Sequence, residues 1–441
     1  MNRFKNLTLL ILAFLLSGLI ASSQNDDLEL KLFNLPDVVF EKLENKDNLT
    51  SYLLKIKQPL DHTDSTKGYF YQRAYLTHVG FNHPMVMITE GYNRDSNVIY
   101  ELTDLLHANQ IMVEHRFFGE SIPDSVDYDY LNLKQATTDL HRINRLFKEL
   151  YSGKWLSTGI SKGGATTIFY RYFYPNDVDV SVPYVAPINR SFEEKRIYTF
   201  FDTIGTKKCR KKIEDFQKTV LQKKNQIKPL LEFYSLGARA EYTYLSPEAA
   251  FEYTVLEYPF SFWQYGHNCQ NIPDKNSSPE KLASHLLSIS DITFFSDRAM
   301  SAYGSHYYQS ATEMGYYGYE TKPFKGLLKA LPTDKNPHAA FVPEKIKTTF
   351  NGQLLQEVNQ WLASDKANNF IYIYGGIDTW SASAVPVNRK VNSLWFFLNN
   401  KHHGNARIAN MTGNEKLLLV KTLENWLGIV IKNRKYKNKN F

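Results

Sequence analysis

Gly159-Ile160-Ser161-Lys162-Gly163-Gly164 lies between the apolar Trp155-Leu156-Ser157-Thr158 and a helical pattern that runs from Gly164 to Tyr174 and stops at Pro175. The apolar residues read as the end of a strand, so the serine falls at a strand-to-helix turn. A serine in Gly-x-Ser-x-Gly form at such a turn is held in a strained backbone, with its hydroxyl exposed at the top of a sheet. The glycines remove Cβ atoms that would collide there. The helix N-terminus beneath offers unpaired N–H groups and a positive dipole end to a developing oxyanion. The expected chemistry is nucleophilic attack by Ser161 through an acyl-enzyme. The same six residues also suit a Gly-rich turn of any doubly wound domain, so the partners decide the reading.

Those partners occur in the order Ser, acid, His. Downstream, Asn368-Asn369-Phe370-Ile371-Tyr372-Ile373-Tyr374 reads as a buried strand rich in β-branched and aromatic residues. It ends in Gly375-Gly376-Ile377-Asp378-Thr379-Trp380, which places Asp378 just past a strand's C-terminal end. A second apolar run, Val391 to Leu398, leads into Lys401-His402-His403-Gly404-Asn405. A serine hydroxyl needs a base to take its proton as it attacks, and histidine titrates near neutral pH. An aspartate fixes the imidazole's tautomer and stabilises the imidazolium. Ser161, Asp378 and His403 are therefore the expected catalytic set. Asp378 could equally begin a turn through its own side chain. His402 competes with His403, which is favoured because Gly404 lets the backbone approach the site. An oxyanion needs a second N–H from the loop after an earlier strand. Pro84-Met85-Val86-Met87-Ile88-Thr89-Glu90-Gly91-Tyr92 supplies one, so the expected donors are the backbone N–H groups of Lys162 and Tyr92, with Gly91 as the alternative to Tyr92.

Strands and helices alternate from about residue 50 to 190. Strand candidates are 52–57, 69–79, 85–89, 111–115 and 155–158, and 133–150 carries apolar residues at helical spacing. From residue 191 the chain becomes mostly helical and rich in Tyr, Phe and Trp, and strand character returns at Phe370. The expected fold is α/β, of the α/β-hydrolase type, with a mostly helical cap inserted between nucleophile and acid. The boundaries read as a signal peptide at 1–23, a first core part at 24–190, a cap at 191–365, a second core part at 366–430 and a basic tail at 431–441.

The N-terminus has a basic stretch through Lys5, an apolar run over residues 9–20 and the small residues Ala21-Ser22-Ser23, with cleavage expected before Gln24. The run is short for a membrane span. The mature chain is expected to be exported, to the periplasm or beyond the cell, and free of the membrane. Cys209 and Cys269 are the only cysteines of the sequence. An even pair in an exported protein suggests a disulfide, with two buried thiols as the alternative. No metal site is expected, and no cofactor, since P-loop, dinucleotide and HExxH patterns are missing from the sequence. The net charge of +7 owes much to a lysine-rich end, Lys432 to Lys439, which reads as solvated tail rather than a nucleic-acid arm.

Glu114-His115-Arg116-Phe117-Phe118-Gly119-Glu120-Ser121, the Gly-Ile-Ser-Lys-Gly-Gly elbow, the strand end Val185-Ala186-Pro187-Ile188-Asn189 and Gly376-Ile377-Asp378-Thr379-Trp380 together resemble one family. It is that of the secreted bacterial prolyl tri/tetrapeptidyl aminopeptidases, serine peptidase family thirty-seven, related to the prolyl carboxypeptidase and dipeptidyl peptidase II group. The resemblance runs from about residue 50 to 425. It implies a capped α/β-hydrolase fold, peptide substrates, and release of tri- and tetrapeptides from free N-termini by cleavage after proline. Ser161, Asp378 and His403 occupy the matching triad positions; Asn405 departs from the usual run after the histidine. A proline ring before the scissile bond calls for aromatic walls, which Tyr258, Phe260, Phe262 and Trp263 could supply. Exopeptidase action calls for a carboxylate to meet the substrate's α-amine, and Glu90 and Glu257 are the candidates. Glu114 and Arg116 are expected to pair with each other structurally. An esterase or lipase, a dipeptidyl peptidase or Pro-Xaa carboxypeptidase, and a catalytically dead relative are the competing readings.

Overall fold

Among the described residues nine strands form one sheet: β1 (Val38–Lys42), β2 (Thr50–Pro59), β3 (Tyr69–His78), β4 (Met85–Thr89), β5 (Asn109–Val113), β6 (Trp155–Ile160), β7 (Val180–Tyr184), β8 (Ile371–Gly375) and β9 (Leu394–Leu398). Their order is β1-β2-β3-β5-β4-β6-β7-β8-β9. The computed structural model describes residues 27–44, 49–342 and 346–432. The expected signal peptide and most of the expected tail lie outside these residues. β1, β2 and β3 are antiparallel, and β3 pairs antiparallel with β5. The remaining neighbours run parallel. This is the α/β-hydrolase fold.

The parallel strands β4 to β8 are buried along nearly their whole length, while the edge strand β9 is only partly buried. Helices cover both faces, and that explains the continuous apolar runs in place of alternation. On one face α1 (Glu101–Leu106) and the C-terminal helix pack Leu102, Leu105, Leu419, Leu423 and Leu427 against Val86, Leu156, Val182 and Ile373. On the other lie α2 (Leu133–Lys148) and α3 (Lys162–Phe173). α2 presents Leu140, Ile143 and Phe147, one stripe at spacings of three and four. Its start is fixed by Asn132, whose side chain accepts from the Gln135 N–H. Each such buried side chain contributes about 2 kcal/mol.

Between β7 and β8 the chain is helical: α4 (Arg196–Thr203), α5 (Lys207–Gln222), α6 (Lys224–Gly237), α7 (Pro247–Gln264), α8 (Pro279–Ile289), α9 (Asp297–Ala302), α10 (Gly304–Gln309) and α11 (Gln353–Ala363). The first seven build a core of their own around α7, which is buried almost all round. Pro259 lies inside α7 and has no N–H for the Val255 carbonyl. The side-chain amide of Gln217 on α5 donates to that carbonyl instead, at 2.7 Å. Cys209 at the start of α5 is disulfide-bonded to Cys269, just beyond α7. α11 corrects the boundary read from sequence. Although it falls inside the expected 191–365 cap, its Leu355, Val358 and Leu362 pack with Ile168, Phe169, Tyr372 and Tyr374. It is the crossover helix that leads into β8, and its apolar stripe covers the sheet. Among the described residues no helix is long and apolar enough to cross a membrane.

Helix α12 (Gly413–Leu427) closes the fold, started by a Thr412–Glu415 capping box and ended by Gly428 in the left-handed region. β4 is the strand where the order reverses, with β5 on one side and β6 on the other. In open parallel sheets the crevice beyond the C-terminal ends at such a switch point receives ligands. The loop after β4 and the turn after β6 meet there.

Candidate active site

Ser161 follows β6 with φ 58° and ψ −123°, a conformation unfavourable for a residue with a side chain, and begins α3. Sterics explain the glycines around it. A Cβ on Gly159 would lie 2.4 Å from the Gly163 carbonyl, and one on Gly163 would lie 2.5 Å from the Thr89 carbonyl oxygen. Thr89 at the end of β4 locks the turn further, its hydroxyl 2.9 Å from the Gly163 carbonyl oxygen and 2.6 Å from the Thr167 hydroxyl. The Ser161 N–H donates to the Tyr184 carbonyl on β7 at 2.9 Å. The Ser161 hydroxyl has no partner among the described residues and lines a cavity of about 290 Å³ beneath the cap.

Asp378 is fully buried in the loop after β8, and its two oxygens do different things. Oδ1 accepts from the Trp380 N–H at 3.1 Å and starts a short 3-10 turn. Oδ2 accepts from His403 Nδ1 at 2.8 Å. The turn-forming and imidazole-orienting readings of this residue thus hold together. Of the two adjacent histidines, His403 is the one bonded to Asp378. His402 is turned toward the cap, where a Cβ on Gly266 would lie 2.7 Å from its ring. The His403 N–H donates to the carbonyl of Gln264, a cavity-lining residue at the end of α7, so the histidine loop is tied to the cap.

The Tyr92 N–H donates no hydrogen bond among the described residues, and Tyr92 lines the same cavity. The Lys162 N–H stands at the first position of α3, where no intrahelical acceptor exists. Among the described residues two backbone donors are thus unpaired, one next to Ser161 in the chain and one on a residue that lines its cavity.

The carboxylate candidates separate clearly. Glu90 pairs with Arg94 at 2.7 Å and accepts from the Tyr100 hydroxyl at 2.9 Å, and it does not line the cavity. Glu257, on α7, lines the cavity and is buried. Its Oε2 accepts from the Tyr317 and Tyr319 hydroxyls, each at 2.9 Å, and its Oε1 from the Ser261 hydroxyl at 3.1 Å. No cation pairs with it among the described residues. Burial pushes its carboxyl up to about 7 against the three hydroxyls, which favour the charged form.

The cavity walls are aromatic, including Phe260, Tyr265, Phe294, Tyr303, Tyr316, Tyr317 and Trp380. Of the aromatic residues singled out in the sequence, Phe260 is in this wall. Tyr258 and Phe262 are in the cap core. Trp263 borders a second cap cavity of about 390 Å³, which Phe260 and Tyr317 also line. Sequence reasoning missed Tyr317 and Tyr319, although the alternation Tyr317-Gly318-Tyr319 in an extended segment puts both side chains on one face. It also missed His306, which lines the cavity with neither ring nitrogen partnered among the described residues. The expected Glu114–Arg116 pair does not form. Arg116 grips Asp139 with two bonds of 2.7 and 2.8 Å, and Glu114 pairs with Arg73 on β3. Both residues lie past β5 in a loop, where each side chain finds a partner from a different element.

The family model for PS-10 peptidase S37 matches residues 21–439. The chain is similar to prolyl tri/tetrapeptidyl aminopeptidase of Streptomyces mobaraensis, 29% identical over 411 residues, which is 91% of this chain and 85% of that protein. It is also similar to prolyl carboxy peptidase like protein 5 of Caenorhabditis elegans, 24% identical over 452 residues, covering 84% of this chain and 87% of that one. Among solved structures, proline iminopeptidase of Mycobacterium smegmatis aligns over 85% of this chain and 98% of its own, with 11% identity and a TM-score of 0.42.

Proposed function

This chain belongs to the S37 peptidase family, and on that premise we propose that it is an exported serine exopeptidase that removes tri- and tetrapeptides from free N-termini by cutting after proline. The observation that carries the reading is Glu257, a buried carboxylate in the cavity of Ser161 that pairs with no cation among the described residues. A peptide's α-ammonium is the group that completes it. The proline specificity and the length of the released peptide rest on the Streptomyces relative and on the aromatic walls.

In this mechanism Ser161 Oγ attacks the carbonyl carbon of the substrate proline and its proton passes to His403 Nε2. Asp378, on Nδ1, holds the ring in the required tautomer and stabilises its charged form. The Ser161–His403 hydrogen bond closes in the substrate complex, since such bonds are often long before substrate binds. The oxyanion forms between the N–H groups of Tyr92 and Lys162. Collapse breaks the C–N bond, and His403 gives its proton to the leaving amine. His403 takes a proton from water as the water attacks the acyl-serine, then returns that proton to Ser161 Oγ as the ester bond breaks, releasing the peptide with a proline carboxylate at its end and restoring the free serine.

The test is a panel of p-nitroanilides of two- to five-residue peptides ending in proline, each with a free and an acetylated N-terminus, alongside p-nitrophenyl acyl esters. Preference for free tri- and tetrapeptides is expected. Equal cleavage of free and acetylated peptides would remove the exopeptidase reading, and ester hydrolysis without peptide cleavage would replace it with an esterase.

A further inference from the structure

Resting on that reading of the site, we propose that the side chain of Lys162 is a positioning residue that aims the Tyr92 N–H at the oxyanion. Lys162 carries two functions in one residue: its backbone is one donor, and its side chain sets the other.

The argument starts at the Gly91 carbonyl. Lys162 Nζ donates to it at 2.8 Å. In a trans peptide the carbonyl and the following N–H point in opposite directions. With the Gly91 oxygen drawn to the ammonium, the Tyr92 N–H is directed away from it. That N–H is free of protein acceptors among the described residues and belongs to a residue lining the Ser161 cavity. A loop peptide without such an anchor could flip, exchanging the N–H for a carbonyl that would repel the oxyanion.

The loop is held close as well as oriented. A Cβ on Gly91 would lie 2.6 Å from Lys162 Cβ and 2.7 Å from the Gly163 nitrogen, so residue 91 rests directly on the first turn of α3. Only glycine permits that approach. Beyond the carbonyl, the ammonium lies 5.2 Å from the Phe118 ring centroid and 5.6 Å from that of Tyr92. No carboxylate comes within ion-pair distance of it among the described residues. A buried lysine without a salt bridge is costly, and retaining its bond to one backbone carbonyl beside the nucleophile is what a positioning role requires.

The experiment compares Lys162→Met with wild type on a good peptide anilide. Methionine keeps the backbone donor and most of the length but loses the side-chain donor. The expected result is a fall in kcat on the order of 10²-fold, the scale for a lost oxyanion donor, with KM changed less than threefold. Phosphonylation of Ser161 by a fluorophosphonate should slow in parallel, since it too builds a charged oxygen at this position. A kcat within threefold of wild type, or a loss confined to KM, would overturn the proposal. Should the variant not fold, wild-type enzyme labelled with ¹⁵N-tyrosine and bound to a peptidyl boronate decides the matter. The Tyr92 amide is expected to move downfield on adduct formation, and an unmoved amide would refute its orientation. Ser161→Ala separates the two levels: if it stays active, the site reading itself falls, whereas an inactive Ser161→Ala beside a fully active Lys162→Met removes the lysine's role alone.

Discussion

Replacing Glu257 by glutamine tests whether the α-amine is read by a buried charge. The change is nearly isosteric. The Tyr317 and Tyr319 hydroxyls can still donate to the amide oxygen, and the Ser261 hydroxyl can turn to accept from the amide nitrogen. What is lost is the charge that would face the substrate ammonium. Breaking a buried pair by removing one partner typically costs 3–5 kcal/mol. The lower end applies here, because a carboxyl that titrates near 7 can neutralise itself when the partner is missing. At pH 8 that escape costs about 1.4 kcal/mol. The assay is a cycle: kcat/KM of wild type and Glu257→Gln, each with a free and an acetylated tripeptide anilide. The acetyl group's bulk acts in both backgrounds and cancels. A coupling of about 3 kcal/mol is expected, so that wild-type discrimination between the two peptides exceeds the variant's by roughly 150-fold. A coupling below about 0.5 kcal/mol, with both enzymes folded, would show that Glu257 does not meet the amine.

The ratio of kcat/KM for free and acetylated peptide in wild type should fall about tenfold per pH unit below 7, because the paired form of Glu257 is the ionised one and its carboxyl is raised to about 7; groups shared by the two reactions cancel, and a pH-independent ratio would contradict the assignment. The same residue should limit stability: its folded-state pKa lies above its ordinary 4.5, so its contribution is full below pH 4.5 and is lost as pH rises through about 7, and Glu257→Gln should gain about 3 kcal/mol over wild type at pH 8 relative to pH 4.5, read from urea unfolding at both values. Ser161→Ala should lower kcat by about 10⁶-fold with unchanged circular dichroism, and retention of more than a few per cent of activity would displace Ser161 as nucleophile. Replacing Cys209 and Cys269 together by alanine removes a link across 60 residues and should cost about 4 kcal/mol in the chain-entropy model, measured as a drop in denaturant midpoint, with an unchanged midpoint counting against the link's role.

Much of the core site was legible because its residues sit at element ends, where sequence punctuation is strongest. Gly159 and Gly163 are required by contacts of 2.4 and 2.5 Å, and that need leaves a motif. Asp378 and His403 follow apolar runs that could hardly be anything but strands. β1 was not read, since it is short, lies at the sheet edge and is buried at no position. The cap was legible only as a helical block. α7 is buried on nearly all sides, so its sequence carries no amphipathic stripe to say which residues face the cavity. Phe260 and Trp263 look alike there, yet both border the second cap cavity and only Phe260 also reaches the cavity of Ser161. Glu257 gained its distinction over Glu90 from tyrosines about sixty residues away, a relation that spacing does not encode.

The way Glu257 is held explains how a cap could select free N-termini without gripping them tightly. An exposed carboxylate would attract an ammonium weakly and tolerate a blocked end, since surface pairs are worth less than about 1 kcal/mol. Burial inverts the balance. It makes the unpaired charge expensive, and the three hydroxyls from Ser261, Tyr317 and Tyr319 keep ionisation within reach of neutral pH rather than abolishing it. With its carboxyl raised to about 7, the empty site stands near the midpoint of its titration at neutral pH, and under the proposed function an entering ammonium would tip it to the charged state. A blocked peptide finds the carboxyl either charged and alone or neutral, and gains nothing from it in either form. Discrimination then comes from the protein's own unmet charge, which is why selectivity and a loss of stability toward higher pH are expected to rest on the same residue.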